Sequence, residues 1–193
     1  MSVHTGLADF LGNEDLLGNP LLEALKSERL HASYVFEGAL PPIMRMQAAA
    51  QRQKRPVYLA SVARAAPAGV PTLAGSDAGL PGTFQGFSIH RELALLVEAG
   101  LTPWQALRDA TTDAGAFLGV PVSVRPGDLA NLLIISASPI DDIENTQEIV
   151  AVLHDGRVVD REALLNFDED CTFELPDVPA PLEIAWAKPA HPS

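Results

Sequence analysis

Hydrophobic and polar positions change period once along the chain, close to residue 119. Before that point the apolar residues recur at helical spacing. Asn19-Pro20 followed by Leu21, Leu22 and Leu25 predicts a short helix in an otherwise irregular stretch over residues 1–41. Met44, Met46 and Ala48-Ala49-Ala50, followed by Arg52, Lys54 and Arg55, predict a helix over 43–55, with its cations at the favourable end of the helix dipole. Pro56 is expected to interrupt it, and a second helix is expected from Val57 to Ala66. Ile89, Leu93, Leu96 and Val97 share one side of a helix over 88–99 that Gly100 ends. Thr102-Pro103-Trp104-Gln105 predicts the next start: a capping threonine, proline at the first helical position and a glutamine completing a capping box. That helix is expected to reach Gly115 or Gly119.

Short apolar runs between turn residues predict strands. Val70 to Gly75 reads as a buried strand with Asp77 at its C-terminal end, followed by a glycine-rich loop over 78–86. Arg125-Pro-Gly-Asp128 reads as a turn and Leu129 to Ile135 as a strand. Ile149 to Leu153, then His154-Asp155-Gly156, then Arg157 to Val159 read as a hairpin with an Asp-Gly turn. From Asp168 the chain is acidic and rich in proline.

Composition narrows the function classes. The 193 residues are 47% hydrophobic and 20% charged, as in globular proteins. A net charge of −12 repels phosphate backbones and argues against a nucleic-acid partner. No apolar run approaches the ~20 residues of a membrane span. The first residues lack a basic start followed by an apolar block, and the single cysteine, Cys171, cannot form an internal disulfide; a cytoplasmic protein is expected. Cys171 also lacks a base partner for a nucleophilic role.

Taken as bare residues, the candidates have modest readings. A lone aspartate after a strand, as at Asp77, more often caps the next segment than reacts. His90, thirteen residues later, either touches substrate or hydrogen-bonds locally. Arg91 and Glu92 read as a solvated face, Trp104 as packing, and His154 as exposed and inert.

Order and spacing add more. The run Gly69-Val-Pro-Thr-Leu-Ala-Gly-Ser-Asp77-Ala-Gly79, then Ser88-Ile-His90-Arg-Glu-Leu93, then Glu98-Ala-Gly-Leu-Thr-Pro-Trp-Gln-Ala-Leu-Arg108-Asp-Ala-Thr111 resembles the amidohydrolase superfamily, metal-dependent hydrolases of the imidazolonepropionase, dihydroorotase and prolidase-like kind. Pro126-Gly-Asp-Leu-Ala-Asn-Leu-Leu-Ile-Ile135, Asn145 and Val152-Leu-His-Asp-Gly-Arg-Val-Val159 extend the resemblance, which covers about residues 67–163. Ser76 stands where the family commonly has threonine, and Asn131 where it commonly has aspartate.

The resemblance implies an α/β fold: the C-terminal part of a (β/α)₈ metal-dependent hydrolase barrel, followed by a small antiparallel β-sandwich segment. The implied division is a partial barrel region over 1–119, a sandwich segment over 120–165 and an acidic, proline-rich tail over 166–193. It implies hydrolysis of amide or cyclic-amide C–N bonds other than peptide bonds by metal-activated water. Asp77 is then both metal ligand and general base, and His90 lies beside the substrate. The implied cofactor is a divalent metal, zinc first, with manganese or iron as alternatives. The family's other ligands are a His-x-His pair, a lysine or glutamate, and two further histidines. The five histidines here, at 4, 31, 90, 154 and 191, do not form that set. A barrel also takes about 250 residues. The expectation is therefore a fragment inactive alone, which acts on a small amide-like substrate only with the missing half supplied, and whose unpaired edges lead it to bind a complementary chain, to self-associate as a homo-oligomer, or to be marginally folded. The alternative is a non-catalytic remnant serving as an interaction or scaffold module.

Overall fold

The structure is a computed structural model, and it describes residues 42–78, 82–120 and 122–165 together with Pro20. The expected helix after Pro20, most of the stretch 1–41, the tail 166–193 and Cys171, His4, His31 and His191 lie outside the described residues.

The first described helix, α1 (Pro42–Ala65), runs without a break through Pro56. The expected interruption is absent. Proline removes one N–H and crowds the carbonyl four residues back, which weakens a helix without dictating its end. Here α1 is held from outside: Tyr58, Leu59 and Val62 pack on the core, and Arg55 pairs with Glu98 at 2.6 Å.

α2 (Ser88–Glu98) is the central element. Leu93, Leu95 and Leu96 are buried in a cluster with Val62, Ala99, Leu101, Ala106 and Ile143. Its buried positions go well beyond one stripe, because α1, α3 and a 3₁₀ turn all pack on it. Glu92 is accordingly 0% exposed, which corrects its reading as part of a solvated face.

α3 (Pro103–Ala110) starts as the sequence predicts. Thr102 Oγ1 accepts from the Gln105 backbone N–H at 3.2 Å, and the Gln105 side chain accepts from the Thr102 N–H at 2.9 Å. Trp104 is 61% exposed, so its expected packing role is not met. The helix does not run on to Gly115. The backbone breaks at Thr111 (φ −127°, ψ −92°), whose hydroxyl donates to the Leu107 carbonyl at 2.6 Å, and α4 (Thr112–Leu118) follows. Gly119 ends α4 in the left-handed conformation. Arg108 bridges the break to Asp113 at 2.7 Å.

After the period change come β1 (Leu132–Ile135), a 3₁₀ turn (Ile143–Gln147), β2 (Ile149–His154), β3 (Arg157–Val158) and the short α5 (Arg161–Leu165). The strands form one antiparallel sheet in the order β1-β2-β3. Asp155 (φ +50°) and Gly156 (φ +76°) supply the two left-handed positions of the hairpin turn. Asn131 anchors that turn: its Oδ1 accepts from the Asp155 N–H at 2.9 Å and lies 3.1 Å from His154 Nδ1. Leu132, Ile134, Ala151, Leu153 and Val158 share one face of the sheet; Leu133, Val152 and His154 share the other.

The segment Val70–Gly75 is not a ladder strand, contrary to expectation. A ladder needs a neighbour, and among the described residues no strand runs beside it. It passes along α3 instead, where the Ala74 N–H donates to the Asp109 carbonyl at 3.1 Å. The described chain is thus a set of helices joined to a small antiparallel sheet.

Candidate functional site

Three local arrangements carry the residues of interest. In the first, the segment after α1 reaches Asp77, which is solvent-exposed and holds a left-handed backbone at φ +52°. Aspartate tolerates that region better than most residues, yet a non-glycine there is uncommon. Ala78 follows in a single bridge pair, and the next described residues, Gly82, Thr83 and Phe84, are buried. The Phe84 N–H donates to the buried Ser88 Oγ at 2.8 Å, which ties the far end of the loop to the start of α2.

The second arrangement surrounds His90. It lies 7% exposed on α2, and its Nδ1 sits 2.9 Å from Thr146 Oγ1 in the 3₁₀ turn. Thr146 commits its one hydroxyl proton to the Ile143 carbonyl at 2.8 Å, so the His90 ring donates from Nδ1 and leaves Nε2 unprotonated. Burial pushes the imidazole below its ordinary value of 6.5. The partner is distant in sequence, so His90 joins α2 to the sheet-bearing half of the chain.

The third arrangement is a groove of about 640 Å³ between the segment 70–73 and helices α3 and α4. Val70, Pro71, Leu73, Leu101 and Phe117 form its apolar walls; Gln105, Arg108, Asp109 and Asp113 supply polar groups. Asp109 is 5% exposed, and Thr72 Oγ1 donates a hydrogen bond to its Oδ2. Burial raises the Asp109 carboxyl above its ordinary value. The Thr72 bond opposes that shift, Asp113 adds to it and Arg108 subtracts.

Asp77 is not on the wall of this groove, and it shares no hydrogen bond or ion pair with His90. Sequence reasoning passed over Asp109, Thr72 and Thr146. The one available signal was an aspartate close to the C-terminal end of a helix, against the helix dipole.

A catalytic metal takes about three protein ligands. Among the described residues, no group of three or more His, Cys, Asp or Glu side chains converges to hold one. Asp77 is a single exposed carboxylate, so the described residues do not by themselves fit the divalent metal that the sequence resemblance implies.

No helix among the described residues is long and apolar enough to cross a membrane. No protein-family model matches the chain, and no curated protein sequence does. Solved structures do. A Xaa-Pro dipeptidase with methionine bound in its active site matches at TM-score 0.54 and 26% identity, over 72% of this chain and 33% of that one. A chain described as a prolidase from Bifidobacterium longum matches at TM-score 0.52 and 27% identity, over 70% of this chain and 31% of that one. An amidohydrolase matches at TM-score 0.49 and 22% identity, over 69% and 32%. The chain spans about a third of the length of the solved hydrolases it is similar to, and these are prolidase and amidohydrolase chains.

Proposed function

We propose that this chain is the C-terminal part of an amidohydrolase-type hydrolase that cleaves amide or cyclic-amide C–N bonds of a small molecule, with Asp77 as its reacting carboxylate. The observation that supports this best is the pair of matches to a dipeptidase and a prolidase chain over about 70% of this chain, at identities of 26% and 27%. In this reading residues 1–119 belong to a partial barrel region that includes the segment leading to Asp77, residues 120–165 form a sandwich segment, and residues 166–193 form a tail.

The chemistry asked of this chain is limited. An exposed carboxylate at Asp77 can accept a proton from an attacking water, a role worth ~10²–10⁴-fold in rate. His90, on the first turn of the helix that follows the loop in sequence, is neutral, tied to Thr146 and proposed to lie beside the substrate. Among the described residues no group of three or more His, Cys, Asp or Glu side chains converges to hold a metal, and no hydrolytic step is assigned to this chain alone.

The direct test is to read the DNA upstream of the first codon for an in-frame His-x-His segment and to assay the longer product on N-acyl amino acids, dipeptides and cyclic amides. Turnover that Asp77→Asn abolishes supports the proposal; turnover indifferent to that substitution overturns it. A second reading, an interaction module without catalysis, is favoured by exposed apolar side chains on the sheet (Leu133, Val150 and Val158). It predicts no turnover from the longer product.

A further inference from the structure

Asp109 sits where a carboxylate is costly. It is 5% exposed, it lies on the last turn of α3 where the helix dipole presents its negative end, and Asp113 adds a like charge. Arg108 offsets some of this, but its guanidinium is bound to Asp113 at 2.7 Å. An asparagine would fill almost the same space and accept the same hydroxyl without those penalties. What the carboxylate adds is a charge-assisted bond, stronger than a neutral one. Thr72 Oγ1 donates to Asp109 Oδ2, while the Ala74 N–H donates to the carbonyl of the same residue at 3.1 Å. Asp109 therefore grips the segment before Asp77 at two points, once with its side chain and once with its main chain. Among the described residues that segment has no ladder neighbour, and the Val70 N–H donates to the Ala65 carbonyl at 3.1 Å at its start. Immediately after it, Asp77 adopts φ +52°, a left-handed conformation that is uncommon in a non-glycine residue although aspartate tolerates it better than most.

Building on the proposed role of Asp77, we infer that Asp109 is a positioning residue: with Thr72 and Ala74 it forms a clasp that fixes the segment 70–76 against α3 and so sets the placement of Asp77. The clasp needs no group from outside the described residues and is readable without turnover.

The test is nuclear magnetic resonance on the isotopically labelled 193-residue chain. Thr72→Val removes the hydroxyl at nearly constant volume. It is expected to speed Ala74 amide exchange about tenfold, the loss of one charge-assisted bond, and to move the Asp77 amide resonance. Thr72→Ser restores both, which a mere packing role of the threonine methyl would not do. In the parent chain the Asp77 amide resonance follows the titration of Asp109, and Asp109→Asn removes that inflection. Unchanged Ala74 exchange and an unmoved Asp77 resonance in Thr72→Val would overturn the clasp, as would failure of Thr72→Ser to restore them. None of these readouts depends on hydrolysis, so a failed assay of the proposed function and a failed clasp give different results.

Discussion

Two buried titratable side chains, His90 on α2 and Asp109 on α3, respond to pH with opposite sign. For Asp109 the folded value is raised, so the folded state favours the neutral acid. Its contribution is fully present below the unfolded value of about 3.8 and is lost as pH rises through the folded value. Asp109→Asn should therefore raise the unfolding midpoint at pH 7 and leave it unchanged near pH 3, as thermal melts at the two pH values would show. A lower midpoint at pH 7 would mean that the Thr72 bond outweighs the cost of burial. For His90 the folded value is lowered, so the neutral ring is favoured. Its contribution is full above about 6.5 and is lost as pH falls from there towards the folded value. His90→Gln should flatten that acid limb in urea titrations at pH 8 and pH 5; an equally steep limb in the variant would assign it to other groups. Neither response was legible in the sequence. His90 and Thr146 are 56 residues apart, and Thr72 and Asp109 are 37 apart, so only the fold makes them partners.

Local chemistry was legible at the level of elements; what depends on neighbours was not. The capping box at Thr102 and the Asp155-Gly156 turn follow from short-range rules and stand as predicted. Pro56 and the run Val70–Gly75 were misread because tertiary packing carries a helix through a proline, and an apolar run becomes a strand only beside another strand. Pro56→Ala should then stabilise α1 by up to ~3 kcal/mol, by restoring the N–H to the Arg52 carbonyl and removing the ring clash. Urea denaturation followed by far-ultraviolet circular dichroism measures this, and an unchanged midpoint would show that the surroundings already absorb the strain. Gly115 is a second neighbour-dependent feature. A Cβ there would stand 2.7 Å from the Val120 carbonyl oxygen and press on the Val122 side chain, so Gly115→Ala should destabilise by ~1–3 kcal/mol although its backbone is helical.

At the scale of the whole molecule, the described residues join one helical cluster, centred on α2, to one small sheet, with His90 and Thr146 at the seam. The order of motifs anticipated the kind of solved chain that this one is similar to, because that order follows the succession of elements. It could not supply the remaining two thirds of those chains. The most direct measurement is amide hydrolysis by a product extended upstream to include an in-frame His-x-His segment, set against the same product with Asp77→Asn. The account predicts a fall of ~10²–10⁴-fold in turnover with the fold intact, and equal turnover in the two would contradict it.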